Sequence, residues 1–308
     1  MTVCVTGVPC CGSSATAHVL DLVGVSLGDP EPSARPVHHD ETRCSESHPF
    51  RELDAELLVH LGGAWDQPPV LDPGWERDAR LDPFRFRAAG LLEDVFGSSA
   101  PRSGVIGWED PLLALLLPFW RTVTSIDTTI VLVRDPAEIA GSLLARYAID
   151  APQAALLWLR YLLSATANDP GHLLIRCNEL ITDPPAMLAA IARHLDLPVP
   201  DSVLEVPVRE HLDPRPRREV APTTVPPGDG NPLVALARAV WNQGAIDIAL
   251  VPPIFADGIR RGRLRPPVDG ELLARARAHV MRLRERVRRQ RRDEAARECT
   301  INDGGKRG

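Results

Sequence analysis

The chain has 308 residues with 44% hydrophobic and 25% charged side chains, a globular composition that excludes collagen-like, fibrous or wholly disordered architectures. Its longest apolar run, Leu112 to Trp120, is far shorter than the ~18 residues a membrane span requires, and residues 1–7 lack the basic start and long apolar core of a signal peptide, so a cytoplasmic protein is expected. The formal charge of −6 is uneven: residues 271–298 hold ten arginines against five acids and residues 301–308 add one positive charge, leaving −12 on residues 1–270.

Residues 2–6 are a short β-branched run, glycines follow, and residues 13–23 place Ala15, Val19, Leu22 and Val23 at helical spacing. This predicts strand, glycine loop, helix. Residues 24–46, rich in Pro, His, Asp and Glu, form a loop long enough to be functional. Helical periodicity returns over residues 50–61 through Phe50, Leu53, Leu57, Leu58 and Leu61, and Gly62-Gly63 stops it. A proline-punctuated loop over 65–73 and a helix over 84–95 come next. A second short strand is expected over 103–108, then an apolar helix over 111–120 with Pro118 near its end.

Thr128 to Val133 is an almost unbroken β-branched run, the pattern of a buried parallel strand. Pro136 sits where the first turn of a helix tolerates proline, and the helix continues to Tyr147. Further elements are a helix over 152–167, a strand over 172–176 and a helix over 184–195. A proline- and arginine-rich segment over 197–231 precedes a last helix of the body over 232–241. Strands alternating with helices imply a parallel sheet covered on both faces. Leu273, Ala276, Val280, Leu283 and Val287 mark a basic amphipathic helix near the C-terminus. The domain plan is therefore an α/β body over 1–265, a basic helix over 266–298 and a tail over 299–308.

Among 35 basic residues the single lysine is Lys306, so chemistry that needs a lysine ammonium in the folded body is excluded. The six cysteines (Cys4, Cys10, Cys11, Cys44, Cys177, Cys299) show no C-x-x-C spacing, which points to reduced thiols rather than a zinc site or disulfide framework. Gly7-Val8-Pro9-Cys10-Cys11-Gly12-Ser13-Ser14 places two glycines five apart between strand and helix, like a phosphate loop with Ser13 at the lysine position. Either its N–H groups and serine hydroxyls bind an anion, or it is a tight turn whose serines cap the helix. Arg134, at the end of the buried strand, and Ser142, two turns along the next helix, either grip a phosphate together or play local roles, the arginine paired with a neighbouring carboxylate. Trp65 and Trp108 are cleft walls or core.

These motifs, with Leu174-Ile175-Arg176-Cys177-Asn178-Glu179-Leu180 ahead of Asp183-Pro184, resemble the sulfotransferase family. More specifically, the chain is similar to bacterial members with a G-x-W-E segment before an L-N-D-x-L-L helix, then W-D-x-P-P and W-K-D-P-R. The matching stretches are Glu46 to Leu58, Trp65-Asp66-Gln67-Pro68-Pro69 and Trp108-Glu109-Asp110-Pro111-Leu112, in order along residues 3–200. The resemblance implies a three-layer, P-loop-like α/β fold and transfer of a sulfuryl group from 3′-phosphoadenosine-5′-phosphosulfate to a hydroxyl of a carbohydrate or specialised metabolite, without a metal. It places the 5′-phosphosulfate on Gly7, Pro9, Cys10, Cys11, Gly12, Ser13 and Ser14, the 3′-phosphate on Arg134 and Ser142, and the general base at Glu46.

The sequence departs from the family pattern at charged positions. Cys10 stands for an arginine in the loop, Glu109 for the lysine and Leu112 for the arginine of W-K-D-P-R. Each lost charge-assisted hydrogen bond is worth about 1.5–3 kcal/mol. A second expectation is therefore a degenerate relative that binds a nucleotide or partner without sulfuryl transfer, and Arg215, Arg217 or Arg218 are candidate replacement cations. A P-loop kinase is disfavoured by the missing loop lysine. The expected partners are a small-molecule or carbohydrate acceptor and a second copy of the chain through the C-terminal helix, with no nucleic acid and no membrane span.

Overall fold

Four short apolar strands run parallel in the order β2-β1-β3-β4: β1 (Thr2–Gly7), β2 (Ile106–Glu109), β3 (Thr128–Val133) and β4 (Leu173–Arg176). The structure, a computed structural model, describes residues 1–11, 20, 23–27, 49–97, 104–198, 231–242, 245–246, 248–251 and 253–262. β1 pairs with β2 from Thr2↔Ile106 to Val5↔Glu109 and with β3 from Val3↔Thr128 to Gly7↔Leu132. β3 pairs with β4 from Ile130↔Leu173 to Val133↔Arg176. Because successive side chains on a strand face opposite ways, the five consecutive buried residues of β3 require cover on both faces of the sheet.

The cover comes from helices whose ends are written in the sequence. Around the sheet stand α1 (Pro49–His60), α2 (Asp82–Phe96), α3 (Leu113–Trp120), α4 (Pro136–Tyr147), α5 (Ala151–Asn168), α6 (Cys177–Thr182), α7 (Pro184–His194), α8 (Pro232–Val240) and α9 (Pro253–Arg260). Asp135, Asp150, Asp183 and Asn231 each cap a helix, accepting from the backbone N–H of Ala137, Gln153, Ala186 and Leu233 at 2.7, 2.9, 3.2 and 2.9 Å, and each of those helices has proline in its first turn. Each cap is worth about 1 kcal/mol. α1 ends at Gly62, whose φ of +83° makes the left-handed turn.

α5 is the hub. Its residues from Ala154 to Ala165 are all buried, and it packs on α3, α4, α8 and α9 as well as on β1 and β3. Pro118 interrupts α3 and has no N–H to give the carbonyl four residues back. Asn168, the last residue of α5, supplies the missing donor: its Nδ2 bonds Ala114 O at 3.1 Å. Buried Arg160 ties two outlying segments to the hub, donating to Pro69 O at 2.5 Å and to Ile259 O at 3.3 Å. Gly262 is required beside it, because a Cβ there would lie 1.9 Å from Arg160 Nη1 and the backbone φ is +73°.

Among the described residues the expected strands and body helices are present with shifts of up to three residues: β2 begins at Ile106 rather than 103, α3 at Leu113 rather than 111, and α5 spans 151–168. The helix expected over 13–23 falls largely outside the described residues. Three further elements appear: α6, α9, and an antiparallel pair of two-residue strands, β5 (Trp241–Asn242) and β6 (Ala245–Ile246). Trp108 belongs to the core, not to a cleft wall, being fully buried and stacked on Phe50 at 4.9 Å and near Trp120 at 5.0 Å. Trp65 is half-buried with its ring 4.7 Å from Tyr147. Among the described residues no helix is long and apolar enough to cross a membrane. The basic helix expected over 266–298 and the tail over 299–308 lie outside the described residues.

Candidate functional site

Parallel register brings the carboxyl ends of all four strands to one edge. Gly7 lies level with Leu132, Val5 with Glu109, and Val133 with Arg176. The loop after β1, the Glu109-Asp110 pair after β2, Arg134 after β3 and Cys177 after β4 therefore share that edge. The chain leaves β1 for β2 on one side and returns to β3 on the other, so the switch in strand order falls between β1 and β3. Open parallel sheets bind ligands at such a switch point.

Gly7 is needed where the loop begins. A Cβ there would sit 2.4 Å from Leu132 O and 2.9 Å from Cys11 Sγ. The loop then turns tightly, with Cys11 N–H donating to Val8 O at 3.1 Å and Cys10 at φ +68°, a left-handed conformation rare for a side chain with a Cβ. Arg134 meets this turn: its Nη1 lies 3.5 Å from Cys10 O, at the outer limit of a hydrogen bond. Its Nε donates to Glu138 Oε2 at 2.6 Å. Ser142 Oγ donates to the backbone carbonyl of the same Glu138 at 3.0 Å. The Arg134 carbonyl receives Trp158 Nε1 at 2.9 Å, which anchors the strand end to α5. Arg134 thus pairs with a neighbouring carboxylate, as one of its two sequence readings holds, and Ser142 lies one turn beyond that carboxylate on α4.

Cys11 is buried. The Cys177 thiol first, then burial, and the nearby Glu109 and Cys10 hold the Cys11 thiol well above its usual range. A thiol held protonated is a weak nucleophile, so packing is the role this environment supports for Cys11. Cys10 is half-buried, and the described cysteines are free thiols. Leu112, at the position of the family's arginine, is buried. Arg176, which sequence reasoning left unassigned, stands at the end of β4 as Arg134 stands at the end of β3. It pairs with Glu179 at 3.1 Å and lies 5.8 Å from the Trp241 ring centroid. Its strand-end position was a legible signal.

Next to this edge lies a buried acid pair. Asp54 on α1 and Asp110 after β2 are fully buried and act on one another. Burial first, then the Asp110 charge, holds the Asp54 carboxyl well above its ordinary range. Burial likewise pushes Asp110 up to about 7, against the lowering effect of the Leu112 N–H and the Arg51 charge.

Of the expected site residues, Gly7, Pro9, Cys10, Cys11 and Arg134 lie at or just after the strand ends of this edge, and Ser142 stands two turns along α4. Glu46, Gly12, Ser13, Ser14, Arg215, Arg217 and Arg218 lie outside the described residues. Among the described residues no group of three or more His, Cys, Asp or Glu side chains is placed to hold a metal ion.

No family model matches the chain, and no curated protein matches it either. Solved structures do show likeness. One is the sulfotransferase STF9 from Mycobacterium avium, with 15% identity, 70% of this chain and 68% of that one covered, and a TM-score of 0.43. Another is the sulfotransferase domain of the Synechococcus olefin synthase, with 16% identity, 85% and 93% covered, and a TM-score of 0.39. A third is a retinol dehydratase in complex with androsterone and the inactive cofactor PAP, with 16% identity, 69% and 64% covered, and a TM-score of 0.35.

Proposed function

We propose that this protein transfers a sulfuryl group from 3′-phosphoadenosine-5′-phosphosulfate to a hydroxyl of a carbohydrate or specialised metabolite. The observation that carries the reading is the meeting of Arg134 with the loop after β1 at the switch point, 3.5 Å from Cys10 O. The ordered motifs along residues 3–200 support it. In this reading the loop from Gly7 to Ser14 holds the 5′-phosphosulfate through backbone N–H groups and the hydroxyls of Ser13 and Ser14. Arg134 and Ser142 hold the 3′-phosphate, and the guanidinium exchanges its Glu138 partner for the ligand.

Transfer needs a bond from the acceptor oxygen to sulfur as the bond from sulfur to the 5′-phosphate oxygen breaks. Glu46 takes the acceptor proton as base, and the product is adenosine 3′,5′-bisphosphate. Charge that develops on the leaving 5′-phosphate is met by the loop N–H groups and the hydroxyls of Ser13 and Ser14. The experiment is a transfer assay with the labelled donor and a panel of hydroxyl acceptors, on the native chain and Glu46→Gln. Transfer lost in the variant supports the reading, and no transfer to any acceptor by the native chain contradicts it.

A second reading is favoured by one feature of the edge. Glu109 bears on Cys11 and buried Leu112 fills a cationic position, so the loop is flanked by a carboxylate and an alkyl group. That environment suits nucleotide binding without sulfuryl transfer. Bisphosphate binding without turnover selects this reading over the first.

A further inference from the structure

Asp54 lies on the inner face of α1 among Phe50, Leu53, Leu57 and Leu58, and Asp110 follows β2 directly. Both are 0% exposed. Trp120 Nε1 donates to Asp54 Oδ1 at 2.8 Å, and the Leu112 backbone N–H donates to Asp110 Oδ1 at 2.9 Å. Among the described residues no N–H or hydroxyl reaches the second oxygen of either carboxyl. The two carboxyls act on one another. Ionised carboxylates only accept, so these two can pair only with a proton between them. The rings of Phe50, Trp108 and Trp120, with centroids 4.9 to 5.5 Å apart, wall the region with apolar surface, where two bare charges side by side are not tolerated.

We propose that Asp54 and Asp110 form a proton-holding latch that fastens α1 to the carboxyl edge of the sheet and releases it as pH rises. Asp54 carries the proton. Asp110 is the acceptor, because the Leu112 N–H and the positive charge of Arg51 favour its anionic form. When hydroxide removes that proton, water is formed and two adjacent anions remain without a bond between them. Their repulsion then acts against the packing of α1.

The groups that bear on the pair come from every side. Arg51 on α1 and Glu109 on β2 act on Asp110, while Cys4 on β1 and Tyr161 on α5 feel Asp54 and Asp110 respectively. Arg121 and Asp169 act on Cys4, and Arg160, Asp66 and Arg51 act on Tyr161. Burial holds both Cys4 and Tyr161 protonated past neutrality, so neither competes with the latch for its proton. The latch does not rest on the sulfuryl-transfer reading.

The test is hydrogen exchange of the α1 amides in the full chain from about pH 6 to about pH 9, corrected for intrinsic exchange, with α5 as the internal reference. Loss of one proton on release makes the α1 opening constant rise by up to about tenfold per pH unit in the native protein. In Asp54→Asn the amide keeps both bonds without titrating, and the rise in α1 opening above about pH 7 is lost. Native α1 protection as pH-independent as that of α5 overturns the latch. Infrared spectra provide a check that needs no variant: at neutral pH the native protein shows the C=O band of a protonated carboxyl, and unfolding removes it. A native spectrum without that band also overturns the proposal.

Discussion

The Arg134 guanidinium donates to Glu138 Oε2 at 2.6 Å, so the cation at the switch point is held by a carboxylate from the first turn of the following helix, α4. An incoming phosphate competes with Glu138 for that cation and meets its negative charge. Exposed or half-exposed pairs of this kind are worth about 0.2–1 kcal/mol. Glu138→Gln is therefore expected to tighten adenosine 3′,5′-bisphosphate binding by about two- to fivefold, measured by calorimetric titration. Weaker binding in the variant shows that Glu138 orients Arg134 for the ligand instead of masking it.

Asn168 replaces a hydrogen bond that Pro118 removes, donating Nδ2 to Ala114 O at 3.1 Å. Asn168→Ala leaves that carbonyl without its donor, and the expected loss is about 1–3 kcal/mol in urea unfolding. An unchanged midpoint means the carbonyl is satisfied without the asparagine.

Gly7→Ala places a methyl 2.4 Å from Leu132 O, a backbone atom that cannot swing away. The expected result is a loss of about 1–3 kcal/mol, with disturbance at the β1–β3 junction. Heteronuclear spectra should show shifts concentrated at Cys11, Leu132 and Val133, whereas shifts confined to residue 7 contradict the close packing.

Folding stability should depend on pH with a definite sign. Asp54 and Asp110 hold protons to higher pH than in the unfolded chain, where carboxyls titrate near about 4. The folded state therefore binds the extra protons above that point, and stability falls as pH rises, by up to about 1.4 kcal/mol per unit for each carboxyl. The Asp110 share ends near its own value of about 7. Asp78, held near about 2 by Arg80, acts with the opposite sign and only in acid. Urea unfolding across this range, compared with Asp110→Asn, checks the claim: the variant loses the component that ends near neutrality, and identical profiles refute it.

Thiol reactivity should follow burial. Cys4 and Cys11 are buried and held protonated, whereas Cys10 is half-buried on the loop. Maleimide labelling read by mass spectrometry is expected to modify Cys10 well before Cys4 or Cys11. Equal rates at Cys10 and Cys11 contradict the loop geometry.

Much of the fold was legible because local signals agreed with the global arrangement. Asp135, Asp150, Asp183 and Asn231 each precede a proline by one or two residues, and each caps a helix. The run from Thr128 to Val133 became the strand paired on both sides. The elements that escaped are too short to show a period. α6 has six residues, and β5 and β6 have two each. α9 opens on a proline and holds Gly258, and among its described residues Phe255 and Ile259 are the buried apolar ones.

At the site, Gly7 and Arg134 could be read from position, and the Arg134–Glu138 spacing of four announces a helical ion pair. The Asp54–Asp110 pair could not. Its members are far apart in sequence, and each alone resembles an ordinary surface acid. Only the register that sets Glu109 beside Val5, and the packing of Phe50 on Trp108, brings them together.

The central claim is that the carboxyl edge between β1 and β3 holds a nucleotide through Arg134. Calorimetric titration of the full chain with adenosine 3′,5′-bisphosphate, repeated on Arg134→Ala, tests it most directly. The account predicts micromolar binding by the native protein and a loss of at least about tenfold in the variant, the worth of one charge-assisted hydrogen bond. No binding by the native protein, or equal binding by both, contradicts it.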